Sequence, residues 1–398
     1  MADRYDVIVT GLGAMGSASA YHLAARGLRV LGLERFAPRH VLGSWHGDSR
    51  IIRELYFEHP LYVPLVQRAY ELWEELEKES GEPLLTVNGG LMIGPREGML
   101  IAGTLRSAAE HGLPAELLAP AEVRARFPAY ALEDGLVAVL DPRAGFLRPE
   151  ACVDAHRSLA ARHGADLRYE EPVLAWEPDG DGVRVRTARG AYTADRLLLT
   201  AGAWTGELLP GLELALEVER QVVFWFDPPA HDDRYEPERC PIYAWEHTSG
   251  YIGYGFPRLE RGVKAALMHQ GETAAHPDEV RRAVDDAEVE PLRAALRKML
   301  PGVAVAPVRG HAVCLFTNTP DTDFAIGFHP QHPQVLISSP CSGHGFKFAS
   351  AIGELHADLF TEGTSRFDLS PFRLERPLLD TRARGGPRME KSRPHSLP

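Results

Sequence analysis

The segment Gly11-Leu12-Gly13-Ala14-Met15-Gly16 constrains this chain more than any other. It follows an apolar run, Tyr5–Thr10, that reads as a strand, and it opens a stretch, about Ala14–Arg26, that reads as a helix. A second strand, Arg29–Glu34, ends on an acid. Gly11 permits a tight turn, Gly13 lets the backbone approach a pyrophosphate, and Gly16 lets helix and strand pack closely. Ala14 and Met15 start the helix, whose free N–H groups and partial positive charge suit phosphate. Glu34 sits where a carboxylate accepts hydrogen bonds from an adenosine ribose, and it disfavours a ribose phosphate. Strand, glycine turn, helix and terminal acid together predict a dinucleotide site.

The turn alone does not choose between NAD and FAD. A nicotinamide dehydrogenase should continue through further βα units after Glu34. Here a polar loop, Arg35–Ser49, intervenes. A second apolar strand, Arg196–Thr200, comes much later and runs into Ala201-Gly202-Ala203-Trp204. A third glycine loop precedes a helix, about Lys347–Thr361, near the C-terminus. Distant segments holding the two halves of a cofactor favour FAD.

The remaining chain reads as helix near Val63–Lys78, with Leu65, Ala69, Leu72 and Leu76 on its core face, and helix over Leu147–His163. A hairpin turns at Asp179–Gly182. Strand-rich sequence from about 216 to 319 is interrupted by helices near Pro277–Asp286 and Pro291–Leu300. The expected architecture is α/β: a Rossmann-type FAD-binding domain (1–85, 145–215 and 320–377) interleaved with a smaller α+β substrate domain (86–144 and 216–319). The substrate domain carries a large mixed or antiparallel sheet, and residues 378–398 form a loosely attached tail.

Composition narrows the function. A length of 398 residues suits two or three domains. A formal charge of −12 without a basic stripe argues against nucleic acid and anionic membranes. No run approaches the roughly 20 apolar residues of a membrane span. The opening MADRYDVIV lacks the apolar core of a secretory signal, and the cysteines (Cys152, Cys240, Cys314, Cys341) form no CxxC pair. A reduced, cytoplasmic protein is expected. No cluster has metal-ligand spacing. Lysine is rare, five of 43 basic residues, so Lys264 and Lys347 stand out.

Three further segments resemble the family of monomeric sarcosine oxidase and N-methyltryptophan oxidase. They are Gly43-Ser44-Trp45-His46-Gly47-Asp48-Ser49-Arg50-Ile51-Ile52-Arg53, Cys314-Leu315-Phe316-Thr317-Asn318-Thr319-Pro320-Asp321 and Ser342-Gly343-His344-Gly345-Phe346-Lys347-Phe348. The likeness runs from about residue 3 to about 375. It implies an FAD domain plus a smaller domain whose sheet covers the flavin, and FAD held covalently through a thioether to Cys314. Cys341 is expected only to pack. The resemblance also implies cofactor contacts from Arg35, Ser44, Ser49, Arg50, Val173, Thr200, Gly202, Trp204, Gly343, Gly345, Phe346 and Lys347.

For catalysis, the resemblance implies that Arg53 and Lys347 clamp a substrate carboxylate, a sensible anchor of guanidinium plus ammonium. Arg50 would lie against the flavin ring and share a face with Arg53 if this stretch is helical. Lys264 would stabilise the charge that develops on dioxygen. Tyr254, Phe256 and Phe316 would form water-poor walls, and His46 and Asp48 would hold their loop. Relatives acting on sarcosine have tyrosine at Phe316 and histidine at Met268, with His269 here one residue later.

The implied activity is oxidative demethylation of sarcosine or a similar N-methyl amino acid. The products would be the primary amino acid, formaldehyde and hydrogen peroxide, with dioxygen as acceptor and the protein a monomer. Alternatives are a cyclic or bulkier secondary amino acid (pipecolate, proline, N-methyltryptophan), a nicotinamide dehydrogenase, or a non-catalytic FAD-binding protein.

Overall fold

A computed structural model describes residues 4–209, 211–247, 250–376 and 379. The tail expected from 378 onward lies, Leu379 apart, outside the described residues. Leu379 itself is buried, and its carbonyl accepts from the Ala215 N–H at 3.0 Å.

The strand Tyr5–Thr10 runs parallel between Val30–Leu33 and Gly190–Leu199. Asp166–Arg168 extends this parallel set on one side, and His332–Ser339 joins Leu197–Leu199 on the other. The hairpin Ala175–Asp179 and Gly182–Thr187 pairs with the first half of Gly190–Leu199, and Ala325–His329 closes an eight-stranded sheet. At its centre Val7–Val9 and Val30–Leu33 are buried because both faces are covered.

Helix Ala14–Ala25 packs between this sheet and helix Ala349–Thr361. Small residues allow the approach: a Cβ on Gly353 would meet Ala18 at 2.6 Å. Ser19 Oγ, the His356 ring and Ser338 Oγ form a buried chain of 2.8 Å hydrogen bonds that satisfies the polar groups there. Helix Val63–Ser80 buries Leu65, Ala69, Leu72 and Leu76, as its spacing predicts.

A second, nine-stranded sheet gathers Gly90–Pro95, Glu116–Leu118, Leu136–Asp141, Glu217–Phe226, Ile242–Glu246, Ile252–Leu259, Gly262–Leu267, Thr273–Ala274 and Val308–Asn318. It is antiparallel except where Ile242–Glu246 runs parallel to Gly90–Pro95. A three-stranded sheet, Arg50–Ile52, Gly145–Leu147 and Leu85–Val87, lies apart from both.

Three local expectations fail for identifiable reasons. Residues 277–286 are not a helix: a single 3-10 turn, Pro277–Glu279, is followed by extended chain. The carbonyls of Arg281 and Ala283, which a helix would use internally, accept from the buried Arg220 guanidinium at 2.7 Å each. Leu147 ends a strand, and the helix begins only at Pro149, where proline's fixed φ suits a first turn. Arg50–Ile52 is a strand that ends before Arg53, so no helical face joins Arg50 to Arg53.

Candidate functional site

A cavity of about 500 Å³ runs from the glycine turn, along the loop 43–50, to the inner face of the nine-stranded sheet. Gly11, Gly13, Ala14, Met15, Glu34, Arg35, Ser44, Ser49, Arg50, Val173, Thr200, Gly202, Trp204, Cys314, Gly343, Gly345, Phe346 and Lys347 all line it. Gly16 does not, because its duty is packing: a Cβ there would sit 1.7 Å from the Gly11 carbonyl oxygen.

At one end, Gly11 has φ +83° and Gly13 caps the helix with no side chain capping it. A Cβ on Gly13 would meet nothing nearer than Trp45 at 3.4 Å, so its open side faces the cavity. The first helical N–H groups therefore point into the cavity, where an anion can satisfy them. Glu34 accepts from the N–H of Leu12 at 2.8 Å and of Phe36 at 3.0 Å. Burial raises its pKa, while those N–H groups and Arg157 oppose the rise. At the rim, Arg35 and Trp204 both bind Asp278, at 2.6 and 2.9 Å.

Midway along lies the thiol of Cys314, buried on the strand Val308–Asn318. Arg50 Nη2 approaches its sulfur to 3.5 Å, and the sulfur lies 3.5 Å from the His46 carbonyl. Burial alone would raise this thiol's pKa. Arg50, His46 and Lys264 outweigh it and bring the value down to about 7. Cys341 also lines the cavity, but burial pushes it up to about 11. A thiolate near neutral pH is therefore available at Cys314 and not at Cys341.

Lys264 is buried and lines no part of this cavity. Its ammonium donates to the carbonyls of Gly47 at 2.7 Å and Ser49 at 2.6 Å and lies 4.1 Å from the Phe256 ring centroid. Burial, then Arg50, draws its pKa well below the ordinary lysine range.

At the far end Arg53 and Lys347 both line the cavity. Arg53 already has a carboxylate: its Nη2 donates to Glu58 at 2.6 and 2.5 Å. Lys347 donates to the His344 carbonyl at 2.6 Å and lies 3.5 Å from the Tyr56 hydroxyl. Burial, then Arg53, lowers its pKa to about 7. His344 places Nδ1 2.5 Å from the Tyr56 hydroxyl and Nε2 2.9 Å from the Thr322 carbonyl. That carbonyl can only accept, so Nε2 carries the proton. Burial holds the ring neutral, with a pKa of about 4.

Ile252, Tyr254, Phe256, Met268 and Phe316 wall this end. His269 does not line the cavity. It stands behind Phe316 (ring centroids 5.3 Å apart) with Nδ1 3.0 Å from Glu219. Gly345 also departs from expectation: a Cβ would strike the Pro340 carbonyl oxygen at 1.8 Å. This glycine is demanded by its own loop. The helix after it starts at Ala349, with Lys347 inside a preceding 3-10 turn.

Residues 6–359 match the family model described as FAD dependent oxidoreductase. The chain belongs to the FAD-dependent oxidoreductase family. It is 45% identical over 376 residues to the monomeric sarcosine oxidase of Streptomyces avermitilis, covering 94% of this chain and 97% of that protein. It is 38% identical to the N-methyl-L-tryptophan oxidase of Citrobacter koseri, covering 94% of this chain and 99% of the relative. Among solved structures it is similar to NikD, an unusual amino acid oxidase essential for nikkomycin biosynthesis, with TM-score 0.80, 26% identity and coverage of 93% and 97%.

The cavity of this oxidoreductase fits FAD on its own evidence. Thr10 Oγ1, Trp45 Nε1 and Ser49 Oγ are buried without hydrogen-bond partners, and all three residues line the cavity. Buried orphans of this kind mark groups that a polar-edged ligand satisfies. No helix among the described residues is long and apolar enough to cross a membrane, and no metal-binding group of His, Cys, Asp and Glu occurs among them.

Several residues in and around the cavity escape a reading of motifs. Glu58 lies five residues beyond Arg53, and no charge spacing flags it. Glu150 receives the N–H groups of Gly47 and Asp48 at 2.6 and 3.2 Å. Arg157 crosses from helix Pro149–Arg162 to bind the Leu12 carbonyl through Nε at 2.9 Å. These are contacts between distant segments, and local sequence carries no signal of them.

Proposed function

We propose that this protein is an FAD-dependent amine oxidase that demethylates sarcosine or a similar N-methyl amino acid. The overall reaction is R–NH–CH3 + O2 + H2O → R–NH2 + HCHO + H2O2. The observation that carries the reading is the grouping of a low-pKa thiol, two cations and a dinucleotide turn along one cavity. When bound, FAD supplies the two-electron acceptor for the N-methyl C–H bond.

The chain's residues do the rest. Gly11, Gly13 and the helix N-terminus would hold the pyrophosphate, Glu34 the ribose, and Cys314 the ring through a thioether. Arg53 and Lys347 would anchor the substrate carboxylate. Because Glu58 occupies Arg53, the incoming carboxylate replaces it. Tyr254, Phe256, Met268 and Phe316 exclude water and fix the methyl group at attack distance. Lys264, beside the loop that carries Ser49 and Arg50, would stabilise charge developing on dioxygen. His269 would act behind Phe316 as a positioning residue.

The eight-stranded sheet would belong to an FAD-binding domain of residues 1–85, 145–215 and 320–377, and the nine-stranded sheet to the substrate domain. A monomer in the cytoplasm is proposed, supported by four free cysteines. Phe316 and Met268 in the wall favour a second reading, a bulkier or cyclic secondary amino acid.

Anaerobic mixing of the yellow holoenzyme with sarcosine, N-methyltryptophan, pipecolate and proline tests the proposal. One of these should bleach the flavin, and air should then release peroxide, matched one-to-one by formaldehyde for an N-methyl substrate. A yellow protein that no secondary amine bleaches, or a colourless one, overturns it.

A further inference from the structure

Tyr56 lines no part of the cavity, yet the cavity's far end is built around it. Its side chain is fully buried and packs against Tyr62 and Phe348, with ring centroids 4.9 and 5.3 Å away. The Arg53 guanidinium lies 4.1 Å from its ring centroid. Its hydroxyl stands between His344 Nδ1, at 2.5 Å, and Lys347 Nζ, at 3.5 Å. Both cations of the carboxylate clamp therefore lean on one side chain that the substrate does not meet.

The direction of these hydrogen bonds is set from His344. Its Nε2–H donates to the Thr322 carbonyl at 2.9 Å, so Nδ1 is a bare acceptor. The Tyr56 hydroxyl must donate to it, which leaves the lone pairs of the phenolic oxygen to Lys347. Two features hold the imidazole in this role. Its ring stacks on Phe324, with centroids 5.0 Å apart. Thr322 keeps φ at +62°, a left-handed backbone that a β-branched residue rarely enters, and strain of this kind persists where the surroundings over-determine it.

Lys347 carries three N–H groups as an ammonium. One goes to the His344 carbonyl at 2.6 Å and one to Tyr56, which leaves the third for a ligand in the cavity that Lys347 lines. Burial opposes its charge most, Arg53 opposes it further, and Glu58 favours it. His344 stays neutral and Tyr56 stays protonated, both because of burial, so Lys347 is the member of this trio that titrates near neutrality.

We propose that Tyr56 and His344 are a positioning pair for the clamp: by keeping a hydroxyl lone pair on Lys347, they hold it as the ammonium that binds a carboxylate. The inference rests on the carboxylate clamp of the reading above and not on its amine chemistry.

The test is acetate binding to the flavin-loaded protein, followed by flavin absorbance at increasing pH. Affinity should be flat below a midpoint of about 7. Above it affinity should fall as the ammonium is lost, and level off at what Arg53 alone gives. In Tyr56→Phe the midpoint should drop by about one pH unit, so that acetate binds about tenfold more weakly near pH 8 and within about twofold near pH 5.5. His344→Leu should give the same shift, because the freed hydroxyl can turn its proton toward Lys347, and it carries the comparison should Tyr56→Phe not load flavin. Adding it to Tyr56→Phe should move the midpoint no further. His344→Asn, whose side-chain oxygen can stand in for Nδ1, should restore the parental midpoint. No acetate binding by the unaltered protein, an unmoved midpoint in the single variants, additive shifts in the double variant, or a His344→Asn midpoint as low as that of His344→Leu overturns the pair. Shifted midpoints in a protein that no secondary amine bleaches would keep the pair and remove the oxidase reading, whereas normal bleaching with unmoved midpoints would remove the pair alone.

Discussion

Cys314 Sγ lies 3.5 Å from Arg50 Nη2, and the other hydrogen bonds of that guanidinium go to the carbonyls of Ser44, His46 and Ser49. None goes to a carboxylate, so the charge of Arg50 is left to act on the thiol. The sulfur is thereby held ready to ionise although it is buried.

Attachment of FAD should follow this ionisation. With apoprotein and added FAD, the rate at which flavin becomes resistant to denaturing electrophoresis should rise with pH through about 7 and then level off. The sign follows from the thiolate being the nucleophile. In Arg50→Gln the midpoint should move up, toward the ordinary thiol value of about 8.5, because burial is then opposed only by His46 and Lys264. A pH-independent rate in both proteins contradicts the assignment.

Much of this site is legible from local sequence because its constraints are local. Gly11, Gly13 and Gly16 obey the geometry of one strand–turn–helix unit, and every expected cofactor residue but Gly16 lines one cavity. The strands carrying Tyr254 and Cys314 fall in the stretch from about 216 to 319 that reads as strand-rich. What stays hidden depends on distant partners. Residues 277–286 look helical until Arg220, some sixty positions away, takes their carbonyls. The positions of Lys264 and His269 outside the cavity, and Glu58 on Arg53, are likewise products of packing.

Gly13 and Gly16 of the turn should fail differently when changed to alanine. Gly16→Ala puts a methyl 1.7 Å from a main-chain oxygen, so the parallel core cannot close and little folded protein should be recovered. Gly13→Ala meets only Trp45; it should fold with an unaltered circular dichroism spectrum and bind no FAD. Normal flavin content in Gly13→Ala would falsify the placement of the pyrophosphate.

Glu58→Gln removes the carboxylate from a buried arginine. Leaving that charge unpaired should cost about 3 kcal/mol, read as a lower Tm, and added acetate should recover part of the loss by binding Arg53. If acetate raises the Tm of the parent and the variant equally, Arg53 is not an exchangeable carboxylate site.

At the rim, Asp278 ties Arg35 and Trp204 together across the opening. The Arg35–Asp278 pair is substantially exposed, so Asp278→Asn should alter stability by less than about 1 kcal/mol. FAD uptake by the apoprotein, followed by quenching of flavin fluorescence, should nevertheless become faster, since the strap must open to admit a dinucleotide. Equal uptake rates would show that the strap is not in the path.

The most direct measurement is a peptide map of the purified, denatured protein by mass spectrometry. The account predicts that the peptide carrying Cys314 bears the mass of FAD and that Cys314→Ser abolishes the adduct. Flavin found on Cys341, or on no peptide at all from a yellow and active protein, would contradict it.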